Sequence, residues 1–174
     1  MEHSPLLEQL KGGDRRSIGR VPLVVRDVLD NINLIEDLIK SLNHIDHIVR
    51  MRAADALEKI SKKRPAVLTP FKEILMNAAA DSEQQEVRWH VAQMLPRLGL
   101  KRKDLNVVIS VLQGYLKDRS SIVKVCAMQA LAELASRDRT LIQSVTSCIE
   151  VACQNGTPAM RARGRKLLST LLTG

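Results

Sequence analysis

Apolar and small residues recur at helical spacing through most of the chain. Four segments show it best: HIVRMRAADALEKI (47–60), QEVRWHVAQMLPRL (85–98), SIVKVCAMQALAEL (121–134) and PAMRARGRKLLSTL (158–171). They superpose without gaps, with Leu57, Leu95, Leu131 and Leu168 equivalent and therefore 38, 36 and 37 residues apart. The same frame aligns Val49, Val87, Val123 and Met160, then Ala53, Val91, Ala127 and Gly164, then Ile60, Leu98, Leu134 and Leu171. Positions i, i+4, i+8 and i+11 lie on one side of an α-helix, so each segment predicts an amphipathic helix with one buried stripe.

A second periodic stretch precedes each of these. NLIEDLIKSL (33–42), TPFKEILMNAA (69–79), DLNVVISVLQGYL (104–116) and TLIQSVTSCIEVAC (140–153) open on Asn, Thr or Asp, residues that suit a helix N-cap, and Pro70 follows Thr69 at an expected first helical position. Polar turns, NHID, DSEQQ, KDRSS and QNGTP, separate the members of each pair. The repeating unit is therefore helix, short turn, helix.

Helix pairs repeated every 36 to 38 residues, with V-R-x-x-A/V-x-x-A-L in the second helix, resemble the HEAT-repeat family over residues 33–172. The resemblance implies an all-α fold, a right-handed α-solenoid (an α-α superhelix) of about four to five helix-pair repeats. It divides a single HEAT-like domain, 1–174, into a degenerate N-terminal capping repeat at 1–32 and repeats at 33–64, 65–102, 103–137 and 138–174. Pro22 interrupts the pattern in the capping repeat. The small residues at Ala53, Val91, Ala127 and Gly164 are expected to let neighbouring second helices approach. In such solenoids the second helices line the concave surface. Two rows opposite the apolar stripe would then face it: Met51, Trp89, Val125 and Ala162, and Asp55, Gln93, Gln129 and Lys166. Trp89, the single Trp of the chain, would be presented to a partner, with His90 at the flank level with Arg52, Cys126 and Arg163. The base after each aligned valine or methionine, Arg50, Arg88, Lys124 or Arg161, resembles the family's ladder residue. It would bond to a polar group in the inter-helix turn, where His44, Ser82, Asp118 and Asn155 stand six residues earlier, or else remain available to an anion.

Composition narrows the chemistry. The chain has 174 residues, 45% of them hydrophobic but only 2% aromatic, so its core must be aliphatic, as packed helices favour. Net charge is +8, and it belongs to the body of the chain: residues 1–37 hold five Lys or Arg against seven Asp or Glu, leaving 22 bases and 12 acids beyond. Such a balance attracts acidic proteins or phosphate backbones. Candidate phosphate contacts are Lys62, Lys63 and Arg64 in KISKKRP, Lys101, Arg102 and Lys103 in KRK, and Arg161, Arg163 and Arg165 in the run MRARGRKLL. The six bases of the first two clusters are expected to form a continuous basic edge. Cys126, Cys148 and Cys153 contain no CxxC pair and read as small core residues. His44 and His47 sit in the polar turn NHIDH without a third ligand, so no metal is expected, nor any cofactor. No apolar run reaches the roughly 20 residues of a membrane span, and the start lacks a signal peptide's order, which leads to the expectation of a cytoplasmic protein.

Catalytic signatures are lacking: the chain has no glycine-rich phosphate loop, nucleophile elbow or zinc-protease pair. Its basicity and repeat pattern are similar to helical-repeat DNA glycosylases, whose groove uses Trp, Asp and Arg, with Trp89, Asp55 and Arg52 or Arg163 as a loose counterpart. HEAT-like bilin lyases are a weaker analogy. The expected function is a non-enzymatic scaffold that binds a partner protein, possessing an apolar strip at Met51, Trp89 and Val125 flanked by Asp55, Gln93, Gln129 and Lys166. The alternative is a nucleic-acid-binding module.

Overall fold

The computed structural model describes residues 4–173. Ten α-helices account for most of them, and no strand occurs among the described residues. The chain separates into two compact units, dividing after Gly99.

The first unit contains three helix pairs: α1 (Pro5–Leu10) with α2 (Val21–Asp30), α3 (Ile35–Lys40) with α4 (His47–Lys63), and α5 (Lys72–Asp81) with α6 (Gln85–Met94). Second helices stack in sequence order, α2 on α4 and α4 on α6. Their aligned residues make the core: Val49, Ala53, Leu57 and Ile60 are fully buried, and so are Val91 and Leu95. Burying each Val, Leu or Ile side chain among them contributes about 1.5–3 kcal/mol before conformational entropy is set against it. The second unit repeats the plan with α7 (Arg102–Tyr115), α8 (Ser121–Arg137), α9 (Ile142–Gln154) and α10 (Pro158–Thr173), α8 packing on α7, α9 and α10.

Local chemistry explains the boundaries. The Asp46 carboxylate accepts the Ile48 N–H at 2.8 Å and starts α4, and Asp138 accepts the Thr140 N–H at 3.0 Å ahead of α9. Pro22 does not interrupt a helix; it occupies the first turn of α2, where a missing N–H costs nothing. Pro70 lies instead inside a 3-10 segment, Pro65–Phe71, and α5 begins only at Lys72. At Pro96 the expected long second helix converts to a 3-10 turn, Leu95–Arg97, because the ring removes an intrahelical donor. In the last helix Leu167 is buried while its neighbour Leu168, the aligned position, is half-buried.

Gly164 has a second use beside the one expected of it. A Cβ there would overlap the Sγ of Cys153 and stand 3.1 Å from Met128 Cε, so the glycine allows α10 to approach its own partner α9 as well as α8. The three cysteines are half-buried rather than core.

Candidate functional site

Trp89 sits at the centre of the site in the first unit. It is half-buried, on α6, beside a cavity of about 220 Å³ whose walls also include Met51, Arg52, Asp55 and Lys59 from α4, His90 from α6, and Arg15, Ser17 and Ile18 from the loop that joins α1 to α2. The His90 ring meets the indole edge-on, centroids 5.7 Å apart. Gln93 donates to the Trp89 carbonyl at 3.1 Å, one turn along the helix.

Two members of the expected rows are not presented. Met51 and Asp55 are 7% and 6% exposed. The reason is the 11–20 loop, whose Arg15, Ser17 and Ile18 share the cavity wall with them. That loop is held by Arg52, which is 2% exposed. Its guanidinium donates to the carbonyls of Leu10 at 3.0 Å, Lys11 at 2.9 Å and Ser17 at 3.2 and 3.3 Å. Gly19 and Gly13 wrap it with positive φ, and a Cβ on either would lie 2.6 or 2.9 Å from a guanidinium atom. Sequence reasoning placed Arg52 on a flank and missed this clamp, although three glycines between residues 12 and 19 were its available signal.

A charged network lies beneath. Asp55 pairs with Lys59, one turn along α4. Glu58, 3% exposed, accepts from Lys62 at 2.8 Å and from Arg97 at 2.9 Å, and Arg97 also donates to Ser61 Oγ at 2.8 Å. Burial alone would raise the Glu58 pKa, but these two bases outweigh it and the carboxyl is held below its ordinary value. Burial lowers the His90 pKa despite the opposing influence of Asp55 and Glu58, so the imidazole is kept neutral. Its Nδ1 is buried, 3.9 Å from Asp55 Oδ1, with no hydrogen-bond partner among the described residues. Asp55, Glu58 and His90 each offer a ligand atom within 4.8 Å of the others. Both carboxylates are already neutralised by Lys59, Lys62 and Arg97, which makes the cluster an ion-pair network before it is a metal centre.

The ladder bases of the first unit donate to the backbone of their own inter-helix turns. Arg50 donates to the carbonyls of His44 at 2.7 Å and Ile45 at 3.0 Å, and Arg88 to that of Ser82 at 3.1 Å. Arg50 Nε also reaches Gln84 Oε1 at 2.9 Å, while Gln84 Nε2 donates to the His47 carbonyl at 2.9 Å, which links successive helix pairs. In the second unit Arg161 donates to the Gly156 carbonyl.

Of the remaining candidates, Val125 and Gln129 are half-buried on α8, with Gln129 accepting from Arg163, and Lys166 is exposed on α10. Lys62, Lys63 and Arg64 are exposed where α4 ends, but Lys62 is engaged by Glu58 and Arg64 donates to the Leu29 carbonyl at 3.1 Å. Lys101, Arg102 and Lys103 are exposed at the start of α7, as are Arg161 and Arg165 on α10, whereas Arg163 is half-buried.

No family model matches the chain, and no curated protein matches it. Among solved structures it is similar to a designed armadillo repeat protein, YIII(Dq)4CqI, at 14% identity and a TM-score of 0.44, over 95% of this chain and 98% of that one. The packing of paired helices described above defines the class: an all-α helical-repeat protein of the α-solenoid kind. No described helix is long and apolar enough to cross a membrane.

Proposed function

We propose that this chain is a HEAT-like, non-enzymatic scaffold of the cytoplasm that binds a partner protein, with Trp89 as its principal attachment point. The observation that carries this reading is the half-buried indole, held by α6 at an open cavity and flanked by Arg15 and Lys59. Partly exposed aromatics are typical interface anchors because ring burial supplies energy; of the two flanking cations Lys59 is already paired with Asp55 and Arg15 lies 3.9 Å from Glu86, so the indole carries the reading. On the second unit Val125, Gln129 and Lys166 are proposed contact residues, while on the first Met51 and Asp55 support Trp89 from below. A glycosylase-like reading of Trp89, Asp55 and Arg52 is disfavoured. Asp55 is paired with Lys59, and Arg52 is committed to three backbone carbonyls.

Nucleic-acid binding remains the second reading, supported by the exposed bases Lys63, Lys101, Arg102, Lys103 and Arg165. Fluorescence anisotropy with labelled single-stranded DNA, duplex DNA and RNA at two salt concentrations separates the two. A scaffold shows no micromolar binding even at low salt, whereas a nucleic-acid module binds and weakens steeply as salt rises. Affinity capture with the purified chain, compared with Trp89→Ala, tests the first reading directly. Removing an anchoring indole should weaken capture of the true partner by about 2 kcal/mol, roughly thirtyfold. Equal capture by both proteins removes Trp89 from the interface.

A further inference from the structure

A groove of about 690 Å³ opens in the second unit between α7 and α9, with Leu116, Val151 and Met160 on its apolar wall. Val151 is 63% exposed. No acidic side chain lines the groove, but two lysines do, Lys117 and Lys124. Lys124 is the ladder base of its repeat. Arg50, Arg88 and Arg161 at the equivalent positions all donate to turn carbonyls, yet among the described residues Lys124, a lysine in place of arginine and half-buried as a residue, makes no side-chain hydrogen bond or ion pair. A cation without a counter-charge attracts an anionic group that can be seated beside it.

The corresponding cleft of the first unit, about 590 Å³, differs in that respect. Arg50 is already committed there, and Asp81 and Glu83 supply carboxylates to the lining. The second-unit groove is thus apolar and positive, with its charge unanswered.

Gly114 supports the same conclusion. It lies in the last turn of α7, has no positive φ, and a Cβ added to it would meet nothing within 4 Å. Neither backbone conformation nor packing requires glycine there, and glycine costs a helix about 1 kcal/mol relative to alanine. Its effect is to keep the groove open.

We propose that this groove is a docking site for a peptide segment of a partner protein in which an apolar side chain adjoins a carboxylate, the apolar group lying against Val151, Leu116 and Met160 and the carboxylate against Lys124. Charge complementarity and the unfilled apolar wall together select this chemistry over a basic or purely apolar ligand. The site is separate from Trp89, so the two assignments stand or fall independently.

The test is selection of a random peptide library displayed on phage against the full-length chain, followed by anisotropy of a labelled selected peptide. Selected sequences should place Asp, Glu or a free C-terminus next to Leu, Ile, Val or Phe. Lys124→Met should weaken binding about tenfold. Gly114→Leu should abolish it, because the new side chain fills the groove, while Gly114→Ala should raise the melting temperature and leave binding largely intact. Melting curves establish that each variant is folded. The proposal is overturned if no peptide is enriched, if enriched peptides lack a carboxylate beside the apolar residue, or if neither Lys124→Met nor Gly114→Leu changes the affinity.

Discussion

Replacing Arg52 tests whether one buried guanidinium holds the loop that covers Met51 and Asp55. The side chain is 2% exposed and makes four hydrogen bonds of 2.9 to 3.3 Å to three carbonyls. These bonds do not contribute equally. Lys11 and Ser17 are exposed, so water can replace the guanidinium at their carbonyls once it is removed. Leu10 is fully buried and its bond lies inside the fold. A charge-assisted bond of that kind is worth about 1.5–3 kcal/mol, and loss of the packed Arg stem adds to it. Arg52→Ala is therefore expected to reduce stability by about 2–4 kcal/mol, which at a urea slope near 2 kcal/mol/M moves the midpoint by about 1–2 M. Loosening should begin locally. Mild trypsin should cleave the 11–20 loop after Lys11, Arg15, Arg16 or Arg20 much sooner in the variant. Arg52→Lys should recover less than half of the loss, since one ammonium cannot span all three acceptors. An unchanged urea midpoint together with unchanged loop cleavage would refute the clamp.

Two further outcomes follow from packing and charge. Gly164→Ala should destabilise the protein by about 1–3 kcal/mol in urea unfolding despite alanine's better helix propensity, because the new methyl overlaps Cys153 Sγ. The double variant with Cys153→Ala should recover most of it, and failure of that rescue would point to Met128 as the obstruction. Stability should also fall as pH drops below about 6.5. Burial depresses the folded pKa of His90 from 6.5, so the unfolded chain takes up the proton first and gains from it; the contribution is complete above 6.5 and is lost below. His90→Asn should flatten the profile in that range, leaving the acid-side loss from Glu58, whose lowered pKa makes its contribution present above 4.5 and lost further down. Asp55, Glu58, Lys59 and Lys62 are the charges that face His90, and keeping them intact makes the comparison specific.

Helix pairs and their frame were legible in the sequence because a repeat states the same pattern four times. Independent local choices, the valine, the small residue and the leucine, agree from segment to segment, and the core residues of α4, α6 and α8 follow that frame. The 3-10 segments were less legible. Pro70 and Pro96 signal an interruption, but neither states which turn replaces the helix. The candidate site was legible in part: periodicity brought Trp89, Met51 and Asp55 onto adjoining helices, and the structure does gather them around one cavity.

What the sequence by itself determined is therefore what depends on near neighbours: helix type, repeat length, the stripe that must leave water, and a basic body. Tertiary structure decided everything that depends on residues far apart in the chain. Arg52 meets carbonyls 35 to 42 residues away, Arg97 meets Glu58 39 residues away, and the 11–20 loop closes over residues 51 and 55. Lys124 differs from Arg50, Arg88 and Arg161 in residue type, which the sequence states, and in the groove that surrounds it, which only the tertiary structure does. The physical reason is that hydrophobic periodicity specifies a face for each residue, whereas burial and pairing of a charge are set by whatever chain later packs on that face.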